Sequence, residues 1–149
     1  MKGTREDPLY VHATAVVIGD VGLLISGRSR AGKSHLAEAL IAQGIAHGWP
    51  SLLVGDDRVG LVAEDRHILV LPHPAIAGLI ERRGTGILPV PHQREAQLLL
   101  EIALDPAGPA EPARDAVERL PGLFLDRIRT GEQPQAQFLF PLVVAALTT

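Results

Sequence analysis

VGLLISGRSRAGKSHLAEALIAQG, Val21 to Gly44, decides the fold. Its opening VGLLIS is apolar and rich in branched side chains and reads as a buried strand. Its closing SHLAEALIAQG places Leu36, Ala39, Leu40 and Gln43 at helical spacing, with Gly44 as a stop signal. Between them Gly27, Arg28, Ser29, Arg30, Ala31, Gly32, Lys33 and Ser34 match G-x-x-x-x-G-K-[ST], in the strand–loop–helix setting that the pattern requires. Glycines let such a backbone curl until successive N–H groups point inward, and the helix N-terminus adds partial positive charge. The loop is therefore expected to hold the phosphates of a nucleotide such as ATP. Lys33 would reach the β and γ phosphates, and the Ser34 hydroxyl would complete the shell of a Mg²⁺ ion, which prefers hard oxygen ligands. Lysine occurs only at positions 2 and 33, so a chance match is a poor explanation. Arg28 and Arg30 are bulky for such a loop and fit either phosphate contact or solvent.

Upstream, HATAVVI and VGLLIS are separated by Gly19 and Asp20, which predicts a β-hairpin ahead of the loop. Downstream, Leu52 to Val54 predict a short buried strand that delivers two carboxylates, Asp56 and Asp57, at its end. RVGLVA and HILVLP, joined by Glu64, Asp65 and Arg66, predict a second hairpin, so the sheet should be mixed. AIAGLIERRG reads as a short helix ending near Gly84. A possible strand follows at Gly86 to Val90, then another apolar segment at Ala96 to Leu104. DPAGPAEPARD, rich in proline and alanine, reads as a surface loop. FLFPLVVAAL fits strand or helix, and no internal repeat is visible.

With 149 residues, 46% hydrophobic and 21% charged, the chain is expected to form one α/β domain over its whole length. A net charge of −3 and 3% aromatics argue against nucleic acid as a partner. There is no cysteine, hence no sign of an oxidising compartment, and a cytoplasmic setting is the default expectation. The polar start, Met1 to Asp7, lacks the apolar core of a signal peptide. No apolar run approaches the roughly 20 residues that span a bilayer, so no membrane is expected as a partner.

Phosphoryl transfer needs charge neutralisation, alignment and a group that accepts or orients the attacking proton. Asp56 and Asp57 suit the last two tasks, although an acidic pair can also simply open a turn. His12, read alone, is more often a hydrogen-bonded core histidine than a catalytic one. His35, His47, His67, His73 and His92 show no ligand spacing, and a zinc site is not expected. Four stretches then resemble the catalytic domain of the HPr kinase/phosphorylase family, whose members act on a serine of the phosphocarrier HPr. These are VHATAVVIGDVGLLISG with His12, the loop GRSRAGKS, LVGDDRV, and LIERRGTGI from Leu79 to Ile87. Order and spacing agree over roughly residues 10 to 90.

The resemblance implies an α/β phosphate-loop domain with a mixed sheet, akin to phosphoenolpyruvate carboxykinase, acting as an ATP- and Mg²⁺-dependent serine kinase on HPr or a close relative. By position it implies catalytic roles for His12, Lys33, Asp56 and Asp57, with Asp57 the better proton acceptor, and magnesium contacts for Ser34 and Glu81. It places Glu81, Arg83, Gly84 and Gly86 in a signature tied to catalysis in both directions, and it aligns Arg119 in VERLP with a further catalytic arginine. Family members commonly form hexamers, so a homo-oligomer is implied as well. Starting at Met1, about ten residues before His12, the chain is expected to be a short form without the family's N-terminal domain. Arg30 and His35 depart from the family's small and acidic residues. A C-terminal Gly-Arg-Asn motif used in dephosphorylation has no counterpart here, which puts phosphorylase activity in question. The rival readings are a small-molecule kinase, for which no arginine-rich lid is visible, and a nucleotide-sensing module without catalysis.

Overall fold

The strands that flank the loop are nearly continuous apolar runs, buried on both faces. β1 (Leu9–Val11), β2 (Ala13–Ile18) and β3 (Val21–Ser26) lead into the loop, and α1 (Lys33–Ala46) leaves it. β4 (Ser51–Gly55), β5 (Val59–Glu64) and β6 (His67–Pro72) follow, and then a single 3-10 turn at Pro74–Ile76. β7 (Leu79–Arg82), β8 (Gly86–Pro89), β9 (Ala96–Leu104), β10 (Ala113–Leu120), β11 (Leu123–Thr130) and α2 (Ala136–Leu147) complete the order. The computed structural model describes residues 1–147. Thr148 and Thr149, at the end of the expected 1–149 domain, lie outside the described residues.

One nine-stranded sheet runs β1-β5-β6-β9-β3-β2-β4, with β11 joined to β9 and β10 joined to β11. β3 and β11 lie parallel to β9, and the remaining pairs are antiparallel, so the sheet is mixed as expected. The parallel pairing sets β3, and hence the loop that follows it, in the middle of the sheet. Because side chains alternate faces along a strand, β2 splits its apolar residues between two cores. Val16 and Ile18 join α1 and α2 residues such as Leu36, Leu40, Leu139 and Phe140. Ala13, Ala15 and Val17 join Leu61, Val70, Leu98, Leu120 and Leu125.

Three expectations need correction. LIER is a strand, not the end of a helix: β7 pairs with β8 in a separate two-stranded sheet. Gly78, at φ 76°, and the His92 ring packed against it bend the chain away from any helix. Gly44 does not stop α1 but lies buried inside it, because a side chain there would collide with Ser51 Oγ. The Ala113–Asp115 end of DPAGPAEPARD belongs to β10, which forms with β11 a hairpin not expected from the sequence. FLFPLVVAAL resolves as helix, with Pro141 inside it. Among the described residues no helix is long and apolar enough to cross a membrane.

Candidate functional site

The loop from Gly27 to Ser34 closes on itself through Lys33, whose Nζ donates to the carbonyls of Gly27 (2.9 Å) and Arg28 (3.0 Å). The backbone takes φ 69° at Arg30 and 100° at Gly32, the latter being the N-cap of α1. Lys33 is 6% exposed, and burial pushes its ammonium below the ordinary lysine range, while Asp57 and Asp56 oppose that shift. The outer wall of the loop comes from Glu132 and Gln133. Gln133 donates its backbone N–H to the Ala31 carbonyl (2.9 Å) and its Nε2 to the Arg30 carbonyl (2.6 Å). Arg28 donates a fork to Glu132 at 2.6 and 2.8 Å. Arg28 is thus turned to that wall, and both it and Arg30 remain exposed.

Asp56 is the hub. Only 4% exposed, it accepts at Oδ1 from Ser34 Oγ (2.6 Å) and Thr14 Oγ1 (2.8 Å), and at Oδ2 from the Glu81 N–H (3.0 Å). One carboxylate therefore ties the loop, β2 and β7 together. Asp57 turns outward at φ 64°, donates its N–H to Thr14 Oγ1 (3.3 Å), and presents Oδ1 3.4 Å from His12 Nε2. That pair is open to a partner, at 51% exposure for His12 and 62% for Asp57.

Glu81 reaches this constellation through its backbone, and its side chain is exposed near the turn of the β7–β8 hairpin. The next residue, Arg82, forks onto Glu38 of α1 (2.7 Å at the shortest), which pins the turn end of the hairpin to the helix that leaves the loop. Arg83, Gly84 and Gly86 form the exposed tip. Arg119 is not gathered with the aspartates. Its Nε and Nη2 donate to Glu101 at 2.6 Å each, and Glu101, 1% exposed, also accepts from Ser26 Oγ (2.7 Å), the residue that enters the loop.

Sequence reasoning passed over Thr14, Glu101 and the Glu132–Gln133 wall. For the first two a signal was present: each is the lone hydroxyl or charge in an otherwise apolar strand core, ATAVVI and LLLEIAL, where burial demands a partner. The wall left none, because it lies about a hundred residues from the loop it supports.

Chemically, the arrangement offers a cationic, glycine-lined cradle and, next to it, hard oxygen donors on Ser34 and Asp56. Among the described residues no three His, Cys, Asp or Glu side chains converge on a metal position. The donor set thus fits a Mg²⁺ that arrives with phosphate and water ligands rather than one held in a protein cage.

A family model described as HPr Serine kinase C-terminal domain matches residues 6–97. HPr kinase/phosphorylase of Mycoplasma mycoides is 35% identical over 89 residues, covering 60% of this chain and 26% of that protein. The Bacillus cereus protein of the same name is 42% identical over 91 residues, covering 60% and 28%. The chain thus spans little more than a quarter of these curated relatives. A solved structure of the Hpr(Ser) kinase/phosphatase from Coxiella burnetii superposes with a TM-score of 0.77 at 26% identity, covering 94% of this chain and 97% of that one.

Proposed function

The chain belongs to the HPr serine kinase C-terminal domain family, and from that premise we propose that it transfers the γ-phosphoryl group of ATP to a serine of HPr or a close relative. The observation that carries this reading is the Asp56 hub, which joins Ser34 of the loop to the strand end bearing Asp57. With it goes the finer fold reading, a phosphate-loop domain of the phosphoenolpyruvate carboxykinase-like kind, supported by the β3–loop–α1 order and the flanking hairpins.

Lys33 exchanges its two carbonyl partners for the β and γ phosphate oxygens, which return the charge that burial disfavours. The loop amides and the start of α1 hold the remaining oxygens. Ser34 donates its hydroxyl hydrogen bond to Asp56, which leaves an oxygen lone pair for a cation. Mg²⁺, when bound, neutralises charge across the β and γ phosphates; Ser34, Asp56 and Glu81 are the residues within this constellation that would hold it.

Asp56 is buried and already accepts from three donors, which leaves room for a cation but not for an incoming serine, whereas Asp57 is exposed and faces His12, so the role of base is assigned to Asp57. As the serine oxygen bonds to the γ-phosphorus, the bond from that phosphorus to the bridging oxygen breaks and ADP leaves. The hydroxyl proton passes to Asp57, and His12 steadies that carboxylate. Incubation with labelled ATP and purified HPr tests the reading, with a parallel sample lacking HPr. Label appearing on an HPr serine is the expected result; ATP binding with no transfer to HPr would overturn it.

A further inference from the structure

Thr14 is fully buried and stands in a strand whose other residues are all apolar. A β-bulge explains what it meets there. β2 and β4 pair Val16 with Leu53 but Ala15 with Gly55, so Val54 is the extra residue. Without the bulge Thr14 would face Gly55; with it, the next position opposite Thr14 is Asp56. Bulges are a common way to re-aim a side chain beside a functional site.

The bonding of the hydroxyl is then unambiguous. A carboxylate can only accept and an amide N–H can only donate, so Thr14 gives its single proton to Asp56 Oδ1 (2.8 Å) and receives the Asp57 N–H (3.3 Å). The first bond orients the hub. The second satisfies the amide of a residue held at φ 64°, a conformation that costs an L-residue about 1 kcal/mol or more unless its surroundings enforce it. Buried Asp56 and exposed Asp57 point in different directions from adjacent positions, and among the described residues Thr14 is the one side chain hydrogen-bonded to both.

We propose that Thr14 is a positioning residue that divides the labour of the acidic pair, holding Asp56 inward against Ser34 and turning Asp57 outward toward His12. The inference deepens the phosphotransfer reading and relies on it only for what each carboxylate does.

Thr14→Val keeps the shape and removes the hydroxyl, and Thr14→Ser restores it. Partners one step behind a metal ligand typically carry about 10–100-fold effects. Thr14→Val is accordingly expected to lower kcat for HPr phosphorylation about tenfold or more and to raise the Mg²⁺ concentration for half-maximal ATP binding by a similar factor, with the KM for HPr little changed. Thr14→Ser should stay within about threefold of wild type on both counts. Without nucleotide, hydrogen exchange at the Asp57 amide should be faster in Thr14→Val and ordinary in Thr14→Ser. Equal exchange and equal Mg²⁺ dependence in Thr14→Val and wild type would overturn the proposal, as would Thr14→Ser being as impaired as Thr14→Val. If wild type binds MgATP but leaves HPr unlabelled, the acceptor reading falls, while the exchange and Mg²⁺ measurements still decide the role of Thr14.

Discussion

In the proposed transfer Lys33 and Asp57 carry different tasks, so at the scale of the residue their variants should fail differently. Lys33→Ala removes the ammonium that would meet the β and γ phosphates, so ATP binding should weaken sharply and transfer should vanish; calorimetry with MgATP and a labelled-phosphate assay read the two losses. Asp57→Asn keeps the shape of the carboxylate but cannot take a proton. It should bind MgATP normally and lose about 10²-fold or more in transfer rate, whereas Asp56→Asn should first lose Mg²⁺-dependent binding. A larger fall in transfer for Asp56→Asn with binding intact would reverse the two assignments. Lys33 also titrates with a sign that can be worked out. Burial lowers its pKa in the folded protein, so between that value and the ordinary lysine value the unfolded chain binds more protons, and stability rises with pH. Relative to Lys33→Met, the wild-type Tm should climb from neutral pH towards the ordinary lysine value; a constant difference would contradict the shift.

Elements were legible where local pattern and tertiary demand agree. The β2–β3 and β5–β6 hairpins, α1 and the strand leading into Asp56 could all be read from apolar runs, helical spacing and turn residues. The Lys33–Ser34–Asp56–Asp57 group followed from those. LIER misled because Ala75, Ile76, Leu79 and Ile80 mimic a helical stripe, while what decides the segment is Gly78 closing on His92, a contact across fourteen residues. The β10–β11 hairpin went unread although ARDAVERL and LFLDRIRT alternate around Pro121 and Gly122. Its charged, exposed faces hide the apolar ones, Leu120, Leu125 and Ile128, that reach the cores. Gly44 turns the same lesson into a measurement. In an ordinary helix interior Gly→Ala gains about 1 kcal/mol, but here α1 approaches β4 so closely that a methyl group runs into Ser51 Oγ and sits 3.1 Å from Ile18 Cγ2. Gly44→Ala should therefore lower the urea midpoint, with overpacking costing about 1–3 kcal/mol. A raised midpoint would mean that the helix and β4 part easily.

Across the whole molecule, the direction of the proposed reaction should depend on where positive charge is available. Removing phosphate from a phosphoserine requires inorganic phosphate to be aimed at it, which calls for cations beyond Lys33. The segment from Gln133 to Thr149 contains no arginine or lysine, and Arg127 and Arg119 are already committed to Asp115 and Glu101. Phosphorylation of HPr should therefore outpace pyrophosphate release from phosphoserine-HPr and millimolar phosphate by a wide margin; comparable rates would show that other residues supply the charge. The wall that Gln133 builds against Arg30 and Ala31 has a consequence in time as well as in space. The two sides of the loop are joined across 103 positions of chain, and at about 5–20 residues per second a ribosome needs roughly 5–20 s to travel between them. β9 and β11, the strands aligned parallel to the loop's own side of the sheet, are also made in that interval. A nascent chain thus carries the loop without these two bonds until its distant half emerges, so the proposed nucleotide site is completed by Gln133 well after Lys33 has been synthesised.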